Sequence, residues 1–429
     1  MMLVSKKRHC EERAPFSSDR KRRGAMPTLG NVGDCFSPND GLRNDTHRSR
    51  RRPAIPILFL LLALLAGCGA SWQARVIAPD GSAFAVDRQV LKAMERFAEE
   101  DAEGVPLEQV LWTAGHQAVE TVTVVDDEGV RHEYDWAEVA LEAQWLPGGT
   151  ILIAGEELDA AQVEAEPPAL LSRVTASITD LAPTAAAGLG LDRPAASTGQ
   201  PLPAIGGAVG VDHVLLLFLD GFGYVRYTEA AEAGLIPNLV ALGQPQVGLT
   251  VYPPCTSVAS AALLTGAPPA ANGVDQRGIR KTGTETLFDV AAEAGLEVVA
   301  VEGNALAFNL RNAEMTLSGD RDGDGSTDDN GLANALAVLE AGMPDLFWVH
   351  FHGIDDAGHT YGPGAPEEQA AIQGVDAAVG QLIQALPDNT LVVIFADHGM
   401  HHVEEEGRLG NHGHLIERDM FIPVILIMR

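Results

Sequence analysis

The sequence predicts an α/β chain: a mostly parallel central sheet with helices on both faces, plus a small α+β accessory domain ahead of it. Two observations carry this. Val214–Leu219, Val298–Val301, Leu346–Val349, Leu391–Phe395 and Ile422–Met428 are continuous apolar runs of strand length, as expected of strands buried on both faces. Helix-patterned segments, Thr286–Ala294, Gly331–Ala341 and Glu367–Ala385, lie between them. Strand and helix signals in alternation describe a sheet covered on both sides.

With 429 residues, 46% of them hydrophobic, the chain is long enough for one large or two medium domains with real cores. Its formal net charge of −30 argues against nucleic acid or anionic membrane surfaces as partners. The charge is uneven. Residues 1–67 hold 13 Lys/Arg and 6 Asp/Glu, so the acidic excess lies wholly in the body that follows. A basic head on an acidic body reads as a targeting segment.

Arg48, Arg50, Arg51 and Arg52 precede an apolar run from Ala54 to Gly67. As a helix it spans about 21 Å, short of the ~30 Å hydrocarbon core, so it reads as a signal-peptide h-region. The alternative is an uncleaved N-terminal anchor. Leu65-Ala66-Gly67-Cys68 resembles the bacterial lipobox, which implies lipidation at Cys68 and an extracytoplasmic, lipid-anchored location on a bacterial membrane. Residues 1–41 are polar and unusually long for a leader; translation starting near Leu42 is the expectation. Beyond Cys10, Cys35 and Cys68 only Cys255 remains, so no internal disulfide is expected in the mature fold.

Residues 68–177 form the expected accessory domain. Helices are predicted over Asp87–Ala102 and Pro106–Leu111, and strands over Thr121–Val125 and Thr150–Ala154, with Gly-containing turns between. This stretch resembles the small α+β fold of molybdopterin-dependent oxidoreductases, but no Cys lies between 69 and 254 to serve as a metal thiolate. A non-catalytic role is expected. Pro194–Gly210 is rich in Pro, Gly, Ala and Ser, a linker composition.

The polar residues gather at the predicted strand ends, where open α/β sheets place their chemistry. Asp220-Gly221 ends the first apolar run. Asp355 and His359 sit four apart after Leu346–Val349, a spacing that lets both converge on one ion if the stretch is helical. Asp397-His398 ends Leu391–Phe395, and Asn411-His412-Gly413-His414 follows. Any one of these has a bland reading as turn-former or cap. Three carboxylates and three imidazoles at consecutive strand ends suit two borderline divalent ions such as zinc. Pro253-Pro254-Cys255-Thr256-Ser257 then opens a small-residue helix. Hydroxyls there meet backbone N–H groups and a dipole that favour an anion; the alternative is that Thr256 or Ser257 only caps the helix.

Together these pieces resemble the alkaline phosphatase superfamily, closest to its type I phosphodiesterase/nucleotide pyrophosphatase branch, over about 211–429. The motifs are the strand–Asp-Gly opening, a Thr nine residues before Thr265-Gly266, Asp-x3-His, Asp-His-Gly-Met and His-Gly. The resemblance implies Thr256 as nucleophile, Asp220, Thr256, Asp397 and His398 on one metal, and Asp355, His359 and His412 on the other. His350 and His352 are expected to pack or support, as are His401, His402 and His414, while the spacing selects Asp355 over Asp356. Direct coordination would make the weak threonine nucleophile competent near neutral pH, and paired ions could clamp an in-line displacement through a phospho-threonine.

The chain departs from the superfamily's patterns in several places. Cys255 begins Cys-Thr-Ser-Val-Ala, lacking the Pro and Arg of the sulfatase signature. Where nucleotide pyrophosphatases place an Asn, the nearest candidate is Arg277; Arg277 and Arg280 are the expected substrate contacts, with plain surface charges the alternative. Residues 178–190 resemble a helix the superfamily carries after its last core strand. This implies a circular permutation in which 178–210 supplies that helix and a linker. Asp320-Arg321-Asp322-Gly323-Asp324-Gly325-Ser326-Thr327-Asp328 fits the start of a calcium loop, with Asp320, Asp322, Asp324 and Asp328 as ligands, although position 12 is Gly331. A solvated acidic loop is the alternative.

The expectation is therefore a metal-dependent hydrolase of small phosphate esters, with two divalent ions, zinc in kind, and calcium as a structural addition. The alternatives are an inactive surface-bound binding lipoprotein of the same fold and a phosphonate-cleaving relative.

Overall fold

The computed structural model describes residues 72–429 apart from 98–102, 204–209, 304–305, 322, 324 and 406. The leader and Cys68 lie outside these residues, as do Asp322 and Asp324. Among the described residues no helix is long and apolar enough to cross a membrane.

Eight strands form the large sheet: β1 (Val174–Ser177), β2 (His213–Leu219), β3 (Gln246–Leu249), β4 (Val298–Glu302), β5 (Glu314–Leu317), β6 (Leu346–Phe351), β7 (Thr390–Phe395) and β8 (Phe421–Met428). Their order is β5-β4-β6-β2-β7-β8-β3-β1. The pairs from β5 through β7 are parallel, as is β3 with β1, while β8 runs antiparallel to both neighbours. Every residue of β6 and β7 is buried, so both faces of the sheet centre are covered. The mostly parallel expectation thus holds for the centre. β8 differs because its chain returns from a hairpin beyond the tip of β7.

The helices flanking this sheet include α1 (Leu181–Gly188), α2 (Thr256–Thr265), α3 (Leu287–Glu293), α4 (Asp328–Ala341), α5 (Gly353–Tyr361) and α6 (Pro366–Ala385). Local sequence sets their ends. Thr286 and Asp289 form a capping box on α3, and Pro366 with Glu367 and Glu368 opens α6. Gly266 closes α2 at φ 62°, a conformation that favours glycine.

Residues 74–166 build a second, almost wholly antiparallel sheet of eight strands. Its core continues through Val247, Leu249 and Tyr252 into Leu415, Met420 and Phe421, and the described residues belong to one compact unit. The boundary expected at 177/178 is displaced: β1, within the expected accessory domain, is the outer strand of the large sheet, pairing Val174 with Val247 and Ser177 with Leu249.

α1 packs against α2, α3 and β7, with Leu181, Ala182, Ala185 and Ala186 fully buried. It therefore lies beside the strand that pairs with β8. The Pro/Gly-rich stretch after it is no loose tether where described: the Thr198 and Gly199 N–H groups donate to the Gly266 carbonyl (2.9 and 3.1 Å), and Leu202 is buried. Leu181→Ala should lower stability by about 2–5 kcal/mol through the cavity it leaves. Denaturant unfolding measures this; a change near zero would place α1 outside the cooperative core.

Candidate metal centre

The register of three parallel strands assembles the site. Leu219 at the end of β2 sits opposite Phe351 at the end of β6, and Phe218 opposite Phe395 at the end of β7. The next residues, Asp220, His352 and Ala396-Asp397-His398, therefore emerge side by side from one edge. The Asp220 N–H extends the ladder by one bond, to the Phe351 carbonyl at 3.0 Å. Gly221 follows at φ 70°. Its N–H donates to Asp397 Oδ1 at 3.2 Å, and a Cβ there would stand 2.8 Å from Asp355 Oδ1. Only a residue without a side chain lets the three carboxylates come this close.

Three groups have their ligand atoms within 4.8 Å of one another: Asp220 with His350 and His352, and two donor sets drawn wholly from the motifs, Asp220, Asp397 and His398, and Asp355, His359 and His412. The latter two hold the six protein side chains expected from the motifs. Asp355 and His359 are neighbours on α5, with His359 Nε2 3.3 Å from Asp355 Oδ2. A hairpin of His401–Glu405 and Arg408–Asn411 returns His412 to the edge. The His398 and His412 rings stack with centroids 3.6 Å apart, joining the sets.

Whether these groups suit cations is decided by their hydrogen bonds. His398 Nδ1 faces the Gly399 carbonyl at 2.9 Å, His359 Nδ1 the Gly410 carbonyl at 2.8 Å and His412 Nδ1 the Pro254 carbonyl at 2.8 Å. A carbonyl oxygen accepts only from N–H, so each neutral imidazole carries its proton on Nδ1 and offers its Nε2 lone pair to its set. Asp220 Oδ1, Asp355 Oδ1 and Asp397 Oδ2 are buried with no hydrogen-bond donor. One orphaned carboxylate oxygen on each acidic member is what a cation site leaves when described by protein atoms alone. The donor set fits divalent metal ions.

The ionisation behaviour agrees. Burial, then repulsion from Asp220 and Asp355, pushes the Asp397 carboxyl well above its ordinary range. Burial, then the neighbouring His398 and Arg277, holds His412 well below the usual imidazole value, in the neutral ligating form. Asp356 joins neither set; burial and then Asp355 push it up to about 6.

Thr256 is the first residue of α2, with Cys255 extended before it. Its Oγ1 lies 3.3 Å from His398 Nε2, beside the first set and at a helix N-terminus whose first-turn N–H groups have no upstream carbonyl within the helix. Ser257 is only 6% exposed. Cys255 is buried, and burial raises its thiol pKa, so it is a poor thiolate source.

Behind Asp220 lies a network that the motifs did not include. His350 Nε2 meets Asp220 Oδ2 at 3.0 Å and His350 Nδ1 meets Glu302 Oε2 at 3.0 Å. His352 reaches the same two carboxylates, at 3.5 and 3.2 Å, and Trp348 Nε1 donates to Glu302 Oε1 at 2.7 Å. Burial opposes the charge on Glu302, but His350 and His352 outweigh it and bring its pKa to about 2. Asp220 thus has one oxygen held by imidazoles and the other left free. The available signal was position: Glu302 directly follows a predicted strand, as Asp220 does.

Arg277 stands at the site, its Nη2 3.2 Å from both ring nitrogens of His412. Arg280 does not: it is exposed and donates to the Leu306 carbonyl at 3.3 Å. Arg408, absent from the sequence expectations, places Nη2 2.8 and 3.1 Å from the two ring nitrogens of His359. His401 pairs with Asp419 at 2.9 Å, and His414 with Glu108 of the N-terminal sheet region at 3.1 Å. Glu108 also accepts from the Leu415 N–H at 3.0 Å, bracing the loop that carries His412. Arg277, Arg408 and His412 face Pro106, Glu108 and Gln109 across a cleft of about 530 Å³. Of the calcium-loop residues described, Asp320 accepts from the Gly323 and Gly325 N–H groups (2.7 and 3.1 Å). Asp328 caps α5 through the His352 and Gly353 N–H groups, both at 2.9 Å.

Residues 308–421 match the family model described as type I phosphodiesterase / nucleotide pyrophosphatase. The matched segment holds five of the six Asp and His side chains of the two donor sets, Asp220 lying before it. Among curated proteins, the catalytic subunit of GPI ethanolamine phosphate transferase 3 from Mus musculus is 39% identical over 75 residues, 17% of this chain and 7% of that protein. An uncharacterised pyrophosphatase/phosphodiesterase of Schizosaccharomyces pombe is 31% identical over 70 residues, 15% of this chain and 14% of that protein. The chain therefore spans a small fraction of these relatives' lengths. Among solved structures, phosphonoacetate hydrolase from Sinorhizobium meliloti 1021 with phosphonoformate aligns at 20% identity and TM-score 0.36, over 44% of this chain and 56% of that one.

Two substitutions test this geometry by metal content. Gly221→Ala should displace Asp355 and weaken the second ion by about ten-fold or more; unchanged stoichiometry in chelator competition would contradict the close approach. Glu302→Gln should weaken metal affinity about 10–100-fold by releasing His350 from Asp220, the usual scale for supporting partners of ligands. Unaltered affinity would reduce that network to packing.

Proposed function

We propose that this protein is a two-metal hydrolase of phosphate esters that acts through Thr256 and a phospho-threonine intermediate. The observation that carries the reading is Thr256 Oγ1 at 3.3 Å from His398 Nε2, at the start of α2 and beside two donor sets whose carboxylates each keep one buried oxygen without a hydrogen-bond partner. Asp220, Thr256, Asp397 and His398 would hold one ion and Asp355, His359 and His412 the other; mixed imidazole and carboxylate donors favour zinc. When bound, such ions supply the Lewis acidity that brings a threonine hydroxyl within reach of deprotonation near neutral pH.

The chain's own residues do the rest. Residue 256 at the helix start fixes the direction of attack, and first-turn N–H groups face the transferring oxygens. The Oγ1–P bond forms as the ester P–O bond opposite breaks, and the departing alkoxide takes a proton. Water then attacks phosphorus, the Oγ1–P bond breaks and the hydroxyl is restored. Asp397 and Asp220 stay oriented throughout by the Gly221 N–H and His350. The leader motif supports an extracytoplasmic, lipid-anchored location as part of the same proposal.

Thr256→Ala should lower turnover of 4-nitrophenyl phosphate and bis(4-nitrophenyl) phosphate by about 10³-fold or more, with most of the bound metal retained. Chelation should abolish wild-type turnover. Full activity in Thr256→Ala would move the nucleophile elsewhere.

A further inference from the structure

We propose that Arg277 and Arg408 form a two-guanidinium clamp that selects a doubly charged phosphoryl group, the terminal group of a phosphate monoester, over the single charge of a diester. The inference rests on the phosphate-ester reading above and names its substrate class.

The two arginines arrive from separate parts of the chain, Arg277 after α2 and Arg408 from the hairpin, yet they converge on one ligand set. Arg277 Nη2 is equidistant, at 3.2 Å, from both ring nitrogens of His412. Arg408 Nη2 is nearly so from those of His359. Such distances place each guanidinium over the ring and not at its edge, leaving the Nε2 direction to the ion. The two rings have centroids 5.0 Å apart, and both arginines line the same cleft.

Charge sharpens the assignment. Among the described residues neither arginine is ion-paired with a carboxylate, although the chain carries 59 acids against 29 bases. Arg226 and Arg311 show the usual outcome, pairing with Glu368 and Asp289. Asp220, Asp355 and Asp397 with two divalent ions leave one positive charge, which a Thr256 alkoxide cancels. The two guanidinium charges then remain without a directly paired carboxylate, Glu108 and Asp275 of the same cleft pairing with His414 and Arg96. A monoester, whose second pKa is about 6, brings two negative charges at neutral pH, whereas a diester brings one. Guanidinium forks also match phosphoryl oxygens in pairs, and a diester has an ester arm where one of those oxygens would be.

The test uses the metal-loaded wild-type protein and Arg277→Ala, Arg408→Ala and Arg408→Lys at pH 8. Turnover of the two 4-nitrophenyl esters is compared, and binding of inorganic phosphate and dimethyl phosphate is followed by calorimetry, with metal content measured throughout. The expected result is a drop of about 30–100-fold in kcat/KM for the monoester and in phosphate affinity for each alanine variant, with less than about three-fold change for the diester. Arg408→Lys should recover part of the loss. Parallel losses for both ester classes, no loss, or loss of metal in the variants would overturn the clamp. If the wild type turns over neither ester, the hydrolase reading fails by itself, and the preference for phosphate over dimethyl phosphate still decides the clamp.

Discussion

Three carboxylates with buried, donorless oxygens stand at one edge of a parallel sheet, and the remainder of the site is arranged around that electrostatic strain. Burying unpaired negative charge is strongly unfavourable. Such a cluster persists in a folded chain when a cation balances it. The upward push on Asp397 by burial and by its acidic neighbours expresses the same demand. Three histidines, each turned by a backbone carbonyl to present Nε2, complete a donor set that fits a divalent cation.

The protein treats the two sides of Asp220 differently. On the inner side, His350 and His352 lie between Asp220 and Glu302, so that charge is balanced within the protein. Toward the cleft Oδ1 accepts no hydrogen bond, with His398 Nε2 standing 3.6 Å away. The division keeps one carboxylate oxygen fixed and the other available, a preorganisation that a freely rotating aspartate would lack. The N-terminal sheet region adds to it from the far side: Glu108 holds His414 and the Leu415 N–H, and Val119 N–H bonds the Leu415 carbonyl at 3.1 Å. A region without ligands of its own thereby steadies the loop bearing His412.

Much of this was legible in the sequence because parallel strands buried on both faces leave uninterrupted apolar runs, and the residues just past them are the ones the sheet must expose at its edge. Asp220, Asp397 and His398 were found in this way. The strand Glu156–Glu166 was not, since Glu-Glu-Leu-Asp-Ala-Ala-Gln-Val-Glu-Ala-Glu is built largely of residues with ordinary helix preference. It becomes extended by pairing with neighbours at 75–76, 121–126 and 150–153, a tertiary effect that overrides local preference. Arg408 was equally hidden: its importance comes from a hairpin that folds it over His359, and no spacing rule anticipates that approach. Arg280 was misplaced for the opposite reason, since three residues of irregular backbone after Arg277 carry it out to solvent and the Leu306 carbonyl.

Anomalous diffraction from crystals grown with zinc locates the ions, if they bind, relative to these side chains. Two strong peaks are expected, one bounded by Asp220, Asp397, His398 and Thr256 and the other by Asp355, His359 and His412. Absence of density at both places, or a lone peak among Asp220, His350 and His352, would contradict the two-metal reading.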